Sequence, residues 1–546
     1  MSSAGAESRN ESGELAGYNL FSSHSALADA LAREGDGADS EPLAALGARL
    51  GSAGMFALGE AANRNPPVLH ALDRCGARRD EVEFHPAWHE LLRRLVSEGL
   101  HTGPWSQPRR GAHVARAAGY LMWAEIENGT QCPATMSYGA VPALAGQGAR
   151  FEPWVQALKS REYDPRFVPA AAKRGVLVGM GMTERQGGSD VRSNTTQAVA
   201  AGVRGPGCEY RLTGHKWFFS APMCDAFLVL AQAPGGLSCF LVPRFLPDGG
   251  VNALYLQRLK DKLGNRSNAS SEVEFAAALG WLVGEEGRGV PAILEMGVYT
   301  RLDNAIASAG LMHQCAVQAI HHALGRRAFG APLIEAPLMR NVLADLALEC
   351  EAAVMLVMRL ARAYDAQADA GAARLRRLLT PVAKYWICKR APPLCAEAME
   401  VLGGNGYVED FPVARRLRES PLNSIWEGSG NIMCLDVLRA LSREARMSEA
   451  LEELLAPARG LDARYDRFVA ALGRDLADTA DGELRARDLT QRLALAVQAA
   501  LFLAHGPAAS AEAFLASRLA AGPPAAFGTL PRGVDTGALM ARAFIP

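Results

Sequence analysis

The spacing of apolar residues changes twice along the chain. Up to about residue 175, apolar positions recur every three to four residues, for example in residues 87–98 and 111–126, and this period predicts amphipathic helices. Between about residues 175 and 288, short β-branched and aromatic runs alternate with Gly and Pro, which is typical of a compact barrel or sandwich of antiparallel strands. From residue 291 the helical period returns in segments long enough for an antiparallel bundle.

These changes predict a multidomain α+β protein that is mostly α-helical. We expect an N-terminal helical domain with a mobile tail at residues 1–17, a β-domain, a helical bundle and a C-terminal helical domain. Pro381, Pro392 and Pro412 are expected to break the bundle helices, because proline has no backbone N–H to donate. The expected domain boundaries are residues 1–178, 179–290, 291–447 and 448–546.

Composition narrows the class of protein. Of 546 residues, 49% are hydrophobic, which excludes a mainly disordered chain. Lys and Arg total 57 and Asp and Glu total 58, so a global polycation is excluded, although a local basic patch is not. No segment approaches the roughly 20 apolar residues of a membrane helix, and the N-terminus lacks the pattern of a secretory signal. The ten cysteines form no CxxC pair, which favours reduced thiols and a cytoplasmic location.

Two motifs with possible binding chemistry lie in the β-domain. In MGMTERQGGSDVRSNT, residues 180–195, Gly188 leaves the backbone bare, while Thr183 and Ser189 offer neutral donors to a planar or anionic ligand. In GHKWFFS, residues 214–220, three aromatic side chains precede a hydroxyl and are suited to stack on a planar ring. Each motif has a structural alternative, an ordinary glycine turn for the first and core aromatics for the second.

Two further motifs lie in the predicted bundle. Arg326 and Arg327 end a long helix, where paired guanidiniums suit a pyrophosphate but also suit the negative end of the helix dipole. The segment EVLGGNGY, residues 400–407, is not a Rossmann fingerprint, because its glycines follow a helix instead of opening one. A helix C-terminal cap is the alternative for these glycines.

The last motif, SIWEGSGN at residues 424–431, places an acid between an indole and a glycine-rich loop. Partial desolvation beside Trp426 would make the Glu427 carboxylate a better general base. A solvated glutamate near a helix start is the alternative. Elsewhere, His85 and His89 lack the HExxH spacing, so no metal ion is expected, and no GxSxG or Walker A sequence is present.

In this order, TERQGGSD, GHKWFFS, RRAFG, LGGNGY and SIWEGSGNI resemble the signature of the acyl-CoA dehydrogenase superfamily. The longer stretches GMGMTERQGGSDVRSNTT, LKDKLGNRSNAS, AEAMEVLGGNGY and NSIWEGSGNIMCLDVLR, with NPPVL and FHPAWHELL near the N-terminus, resemble its AidB-type branch of adaptive-response (alkylation-response) flavoproteins. The resemblance covers about residues 18–445 well and the last hundred residues loosely.

This resemblance implies an acyl-CoA dehydrogenase-like fold with a middle β-barrel domain, extended by the C-terminal helical domain of the branch and assembled as a homotetramer. It implies FAD as the cofactor and Glu427 as the catalytic base that removes the α-proton of an acyl-CoA while the flavin takes the β-hydride. Arg326 and Phe329 would reach the FAD of a neighbouring subunit, and Arg301 would lie near the substrate site. The other implied cofactor contacts are Met182, Thr183, Gly188, Ser189, Phe218, Ser220, Gly403, Gly404, Trp426, Ser429 and Asn431.

Departures from the ordinary family pattern bear on activity. Trp426 stands where ordinary members have Tyr, and TERQGGSD replaces TEPxAGSD, so a narrowed acyl pocket is expected. Members of the AidB-type branch are poor acyl-CoA dehydrogenases, and DNA binding is attributed to their C-terminal region. In this chain residues 441–546 contain 12 Arg, no Lys and 13 acidic residues, which is not a basic domain.

Local arginine clusters are the remaining candidates for contact with DNA phosphates. Arg439, Arg443 and Arg446 follow i, i+4, i+7 spacing and are expected on one helix face. A second cluster contains Arg415, Arg416 and Arg418. The alternative for the first cluster is a solvated face, with acidic residues of the same segment as partners. No base-reading motif is present, so any binding of double-stranded DNA should be independent of sequence.

The resemblance therefore implies an FAD-containing protein of the alkylation response with at most weak acyl-CoA dehydrogenase activity. It would bind double-stranded DNA non-specifically and protect or repair it, or destroy alkylating agent near it. The alternative is a metabolic FAD-dependent dehydrogenase of short or branched-chain acyl-CoA. In a third hypothesis, the flavin only stabilises a DNA-binding scaffold.

Overall fold

The computed structural model describes residues 10–444, 446–478, 480–520, 522 and 525–545. Contacts between residues divide the chain into two compact units. We call them the barrel unit, Ala57–Ala112 with Glu127–Asp303, and the helical unit, Met1–Phe56 with His113–Ile126 and Asn304–Pro546. The helical unit contains both the predicted bundle and the predicted C-terminal helices. The division of the sequence into four domains stays a prediction.

The strands of the barrel unit account for the predicted β-domain. A separate hairpin of two antiparallel strands precedes them, β1 (Val68–Leu72) and β2 (Arg78–Glu83). The other strands of this unit are β3 (Val178–Gly181), β4 (Gln197–Ala200), β5 (Glu209–Ser220), β6 (Ala226–Ala233), β7 (Gly236–Pro243), β8 (Leu254–Leu259) and β9 (Ser270–Val283).

These seven strands form one sheet that closes on itself. Hydrogen bonds lead from β6 through β4, β5, β9 and β7 back to β6, while β3 lies beside β6 and β8 beside β9. Most neighbours are antiparallel, but β3 and β4 each run parallel to β6. A closed ring leaves few strand edges unpaired, which confirms the predicted middle β-barrel domain.

The pattern of apolar residues and glycines explains the burial of the barrel strands and the turn between β6 and β7. β6 and β7 are continuous apolar runs and are buried along nearly their whole length. The turn between them places Gly236 at a φ of 112°, a backbone conformation that side chains disfavour. Two separate apolar or β-branched runs in the sequence, at 272–275 and 281–283, belong to one strand, β9. Ala277 has a φ of 58° where the register against β5 shifts, so a bulge interrupts the pattern without ending the strand.

Helices make up most of the remaining chain. The first eight are α1 (Ser25–Glu34), α2 (Ser40–Leu50), α3 (Ala53–Arg64), α4 (Pro86–Ser97), α5 (Gly103–Ser106), α6 (Ala112–Ala124), α7 (Gln131–Leu144) and α8 (Glu152–Leu158). The bundle then contributes α9 (Gly289–Gly325), α10 (Pro337–Asp365), α11 (Ala370–Val401), α12 (Pro412–Glu419) and α13 (Gly430–Arg443). The C-terminal helices are α14 (Met447–Leu455), α15 (Ala463–Ala477), α16 (Gly482–His505), α17 (Ala508–Phe514) and α18 (Thr536–Ala543).

Proline positions within the bundle differ from the expectation. Pro381, Pro392 and Pro393 lie inside α11, which continues through all of them, so the predicted breaks at 381 and 392 are wrong. Much of α11 is buried, and its packing against α10 and α13 outweighs the lost backbone hydrogen bonds. Pro412 does begin a helix, α12, where the first N–H has no helical partner in any case. Among the described helices, none has the length and apolarity that crossing a bilayer would require.

The C-terminal helices are joined to α10 by buried ion pairs. The Arg518 guanidinium donates to Asp345 and Glu349, and all three side chains are at most 5% exposed. Arg542 donates to Glu351, another α10 carboxylate. Buried carboxylates without these partners would carry a large desolvation cost. The C-terminal helices therefore form part of the helical unit and neutralise charges of α10.

Candidate functional site

The predicted site residues fall into two groups, each within one unit. The barrel group contains Met182, Thr183, Gly188, Ser189, Phe218 and Ser220, and the helical group contains Arg326, Phe329, Gly403, Gly404, Trp426, Glu427, Ser429 and Asn431.

In the barrel group, the loop after β3 is fixed to neighbouring backbone. Asn194 Nδ2 donates to the Met182 carbonyl at 2.9 Å, and the Trp217 N–H donates to the Thr183 carbonyl at 2.8 Å. The second contact links the loop directly to β5, the strand that carries Phe218. The structure therefore brings the two predicted β-domain motifs together.

A buried acid of the first motif is a residue that the sequence did not single out as a site residue. Glu184 accepts hydrogen bonds from the backbone N–H groups of Thr195 and Thr196 and from the Lys216 ammonium, the last at 2.6 Å. The Glu184 and Lys216 side chains are fully buried. Both residues belong to the two β-domain motifs, but nothing in the local sequence pattern predicts that they form a pair.

The charges of this pair stabilise each other. Burial would by itself raise the pKa of Glu184, but the Lys216 ammonium and the surrounding donors lower it to about 2. Burial lowers the pKa of Lys216 to about 8, and Glu184 opposes that change. Both groups are charged near neutral pH. A charge-assisted hydrogen bond therefore holds the loop between them. Removing either partner would leave the other as an unpaired buried charge.

The barrel group exposes donors and an aromatic face. Gly187 has a φ of 123°, and a Cβ added at Gly188 would lie 2.4 Å from Thr183 Oγ1, so the turn requires small residues. Ser189 is exposed, and Phe218 is 50% exposed. Neutral hydroxyls beside bare backbone and an accessible ring suit the planar ring and polyol chain of a flavin.

The aromatic residues of β5 support both interpretations of GHKWFFS, a strand with core aromatics and a strand that stacks on a ligand ring. Phe219 is fully buried and packs with Phe227, as expected of a core residue. Phe218 remains accessible, and Trp217 lies under the Lys260 ammonium, 3.6 Å from the ring centroid. A register shift between Lys216 and Phe219 allows this division, because it interrupts the strict alternation of faces.

In the helical group, the backbone at Glu427 adopts a strained conformation. Its φ is 59°, in the left-handed region that residues with a Cβ seldom occupy. Such strain costs on the order of 1–3 kcal/mol and is concentrated at functional sites. The Glu427 side chain is half-buried. Next to it, the Trp426 indole N–H donates to Asn423 Oδ1 at 3.0 Å, which fixes the orientation of the ring.

The loop after Glu427 is held from two directions. Lys384, a buried residue of α11, donates to the Gly428 carbonyl at 2.6 Å. Arg487, on α16, donates from Nε to Asn431 Oδ1 at 2.8 Å. Ser429 precedes α13 but makes no side-chain cap, so donors of the first helical turn stay available. This arrangement suits an acidic or acceptor-rich ligand.

The turn after α9 is a tight hairpin. Strands β10 (Arg327–Ala328) and β11 (Ala331–Pro332) pair, and the two residues between them, Phe329 and Gly330, both have positive φ. A two-residue turn of this kind requires φ > 0 at both positions, which is costly for Phe. Phe329 is fully exposed. The structure thus presents an aromatic side chain to the exterior at the expense of backbone strain.

Arg326 lies close to the glycine-rich turn at Gly403–Tyr407. Glu11 connects them, because its carboxylate accepts from Arg326 Nη1 and from Asn405 Nδ2, each at 2.9 Å. A side chain at Gly403 or Gly404 would meet open space. Both segments therefore bind one carboxylate together, and the oxygens of a phosphate group would offer them similar acceptors.

The same contact corrects the expectation for the N-terminus. Of the predicted mobile tail, residues 1–9 lie outside the described residues. Asn10 exchanges hydrogen bonds with the backbone of Arg327, and His321 hydrogen-bonds the Gly13 carbonyl. Residues 10–13 are thereby held on the end of α9 instead of being free.

The predicted DNA-contact residues do not form one helix face. α13 ends at Arg443, and Arg446 follows it with a φ of 62° and pairs with Glu449, so its placement on the same face is wrong. The Arg439 and Arg443 guanidinium groups are exposed on α13 and form no hydrogen bond or ion pair with other described residues. Their role in binding DNA stays a prediction.

The second arginine cluster is mainly structural. Arg415 and Arg416 are at most 5% exposed and donate to the carbonyls of Ile126 and Glu125. Arg418 pairs with Glu409. Two of these three guanidiniums therefore cannot meet a phosphate at the surface.

A buried histidine cluster is a further feature that the sequence did not reveal. His24, Glu125 and His313 are buried with potential ligand atoms within 4.8 Å of one another. However, the two imidazoles stack at 3.5 Å with an interplanar angle of 4°, so one ion cannot lie in the plane of both rings. His313 instead contacts Glu125 and the Ala543 carbonyl. Burial raises the pKa of Glu125 and lowers that of His24.

Family models match three parts of the chain. The N-terminal domain of the adaptive response protein AidB matches residues 10–165. The acyl-CoA dehydrogenase middle domain matches residues 179–278, and the acyl-CoA dehydrogenase C-terminal domain matches residues 287–442. The matched regions together contain every predicted cofactor contact, but Arg443 and all later residues lie beyond them.

Individual relatives extend this match. AidB of Escherichia coli (strain K12) is 52% identical over 479 residues, which cover 87% of each chain. The crystal structure of Caenorhabditis elegans ACDH-11 in complex with C11-CoA superposes with a TM-score of 0.83 at 26% identity, covering 100% of this chain and 93% of that one. Butyryl-CoA dehydrogenase from Megasphaera elsdenii, at 22% identity and a TM-score of 0.56, shares the fold over 65% of this chain and 90% of its own.

Proposed function

Because this chain belongs to the acyl-CoA dehydrogenase family, in the branch of the adaptive response protein AidB, we propose that it is an FAD-containing protein of the DNA alkylation response. In this proposal it binds double-stranded DNA non-specifically, protects or repairs it, and retains at most weak acyl-CoA dehydrogenase activity. The observation that carries the proposal is the 52% identity to E. coli AidB over most of both chains.

FAD is the cofactor of this family, which agrees with the cofactor prediction. Both groups of site residues fit the dinucleotide. Exposed Ser189 and the accessible Phe218 ring suit the flavin end, whereas Arg326 with the open turn at Gly403 suits the phosphate and adenosine end. In the family's homotetramer, Arg326 and Phe329 would serve a neighbouring subunit. The fully exposed Phe329 side chain supports that assignment.

The residues of the helical group suggest how proton transfer would occur. Bound FAD supplies the electron sink that accepts a hydride. The Glu427 carboxylate, carried on strained backbone, takes a proton from the substrate carbon. The Trp426 indole, fixed by Asn423, occupies volume beside that carboxylate. A bulky ring held in one orientation limits the acyl chain that can enter, which supports weak turnover.

Binding of DNA is supported by uncompensated charge on α13. Arg439 and Arg443 are exposed and have no acidic partner among the described residues. By contrast, Arg459, Arg464 and Arg492 of the C-terminal helices all form ion pairs with acidic residues of that region. Phosphate binding should therefore depend more on α13 than on the C-terminal arginines. A cytoplasmic location belongs to the same proposal.

The test is fluorescence anisotropy of a labelled duplex across a salt series. We expect sequence-independent binding that weakens steeply with salt, and a loss of about tenfold in affinity when Arg439 and Arg443 are both changed to Gln. Arg459→Gln removes an arginine whose charge Glu452 already compensates and should leave affinity unchanged. Binding that ignores all three substitutions, or no binding at low salt, would refute this part of the proposal.

A metabolic dehydrogenase of short or branched-chain acyl-CoA is the second candidate, favoured by the presence of Glu427 at the position of the family base. A steady-state assay with an electron-acceptor dye separates the candidates. Fast reduction by one acyl-CoA, abolished by Glu427→Gln, would support the metabolic role. Slow turnover with every acyl-CoA supports the DNA role. If DNA protection also survives Glu427→Gln, the flavin acts as a structural element.

A further inference from the structure

Helix α16, in the C-terminal region, reaches the loop that carries the candidate base. α16 packs on α13 and α11. From its first turns, Arg487 donates a hydrogen bond from Nε to Asn431 Oδ1 at 2.8 Å. Asn431 is the second residue of α13 and lies four residues after Glu427. Arg487 lies outside the region that the acyl-CoA dehydrogenase models match, which ends at residue 442.

This contact fixes the orientation of the Asn431 amide. A guanidinium has only donors, so it can pair with the amide oxygen but not with the amide NH₂. Asn431 Oδ1 must therefore face Arg487, and Nδ2 is turned away from it. Among the described residues, Nδ2 has no hydrogen-bond partner, and the residue is exposed. The amide is left with donors to offer and no acceptor.

The surroundings of Asn431 favour an acceptor or an anion. Ser429 makes no side-chain cap at the start of α13, so N–H groups of the first turn remain available next to Nδ2. The Lys389 stem lies against Gly430, where an added Cβ would be 3.1 Å from Lys389 Cε. Lys389 and Arg487 therefore both add positive charge near this turn.

We propose that Arg487 is a positioning residue of the cofactor site, through which the C-terminal helices complete that site by turning the Asn431 amide toward an acceptor atom of FAD. The inference rests on the proposed function, because it takes FAD as the ligand. It assigns to the C-terminal region a role in holding the cofactor, independent of any role in binding DNA.

The experiment measures release of FAD from the full-length holoprotein. After dilution, the fluorescence of free flavin reports the dissociation rate, and absorption spectra report the flavin environment. For Arg487→Met we expect FAD to dissociate about tenfold faster and the visible absorption bands to shift, since one oriented donor is lost. Arg487→Lys keeps a cationic donor and should recover part of the effect. Arg467→Met is the matched control, because Arg467 is an exposed arginine of α15.

A second variant keeps the test decisive if Arg487→Met folds poorly. Asn431→Asp strengthens the contact with Arg487 but removes Nδ2, so it should release FAD as fast as Arg487→Met does, with an unchanged melting temperature of the apoprotein. Normal FAD retention in both variants would overturn the inference. Faster release that only follows a lower apoprotein melting temperature would also overturn it, because Arg487 would then be structural. Wild-type protein that takes up no FAD would instead refute the proposed function.

Discussion

The two candidate cofactor loops are held in different ways. The loop at residues 182–189 is fixed within the barrel unit by Glu184, which pairs with the buried Lys216 ammonium and accepts from the backbone N–H groups of Thr195 and Thr196. The loop at residues 426–431 is strained and depends on Lys384 and Arg487, which come from α11 and α16. The first loop should therefore keep its conformation on its own, whereas the second depends on how the bundle and the C-terminal helices pack.

The largest effect is expected in the barrel unit, from Glu184→Gln. The substitution leaves the buried Lys216 ammonium without its anionic partner, which costs about 3–5 kcal/mol. Chemical denaturation followed by tryptophan fluorescence measures this loss. The double variant Glu184→Gln with Lys216→Met should recover most of the stability, because it removes the unpaired charge as well.

The same pair predicts a dependence on acid. The pKa of Glu184 is about 2 in the folded protein and about 4.5 ordinarily, so the unfolded chain binds the proton more tightly. The stability that the pair contributes is therefore fully present above pH 4.5 and is lost as pH falls toward 2. Glu184→Gln should flatten this part of the stability curve. An unchanged acid limb in the variant would show that other carboxylates account for it.

A smaller effect is expected in the helical unit from Lys384→Met. Methionine can replace the buried stem, but the Gly428 carbonyl loses a charged donor, which costs about 1–3 kcal/mol. Hydrogen exchange should increase in residues 426–431 and stay unchanged in residues 182–189. Glu400→Gln, at an exposed position of the same helix, is the control. Equal increases in hydrogen exchange in both loops would contradict the expectation that only residues 426–431 depend on Lys384.

Glu427→Gly should increase stability, whereas Glu184→Gln and Lys384→Met should lower it. Glycine accepts a φ of 59° without strain, so the variant should be about 1 kcal/mol more stable while losing the candidate base. Glu427→Gln removes the charge but keeps the strain, and should gain no stability. Calorimetry of the wild-type protein, Glu427→Gly and Glu427→Gln measures their free energies of unfolding. A destabilised Glu427→Gly variant would mean that the carboxylate makes contacts worth more than the strain.

The smallest effect is expected from Glu11→Gln. The ion pair with Arg326 is partly exposed and contributes about 0–1 kcal/mol to stability. Because Arg326 loses its anionic partner, we expect FAD to bind up to about fivefold more tightly. Titration of apoprotein with FAD measures this change. Weaker binding in the variant would show that Glu11 supports the cofactor site instead of competing for it.

Features that depend on neighbouring residues could be predicted from the sequence, whereas contacts between distant residues could not. Local patterns located the barrel, the long bundle helices and the short motifs, because alternation, helical period and glycine turns act over a few residues. The pairing of Glu184 with Lys216 required knowledge of which strand lies beside the loop. Placement of Arg446 failed, since the helix ends three residues earlier and no local signal marks that end.

Long-range contacts account for the other differences. Proline predicted breaks in α11 that packing overrides. Arg518 and Arg487 lie among arginines that look alike in the sequence, yet one is buried against Asp345 and the other donates to Asn431. Charge counting could not separate them, because their roles depend on partners more than 50 residues away.

The most direct test of the account is the FAD content of the purified protein and of one variant from each loop. We predict yellow protein with one FAD per chain. Thr183→Ala and Asn431→Asp should each lower that content, since the family resemblance assigns a cofactor contact to each loop. Protein that stays colourless and takes up no FAD on reconstitution, or that keeps full FAD content in both variants, would contradict the account.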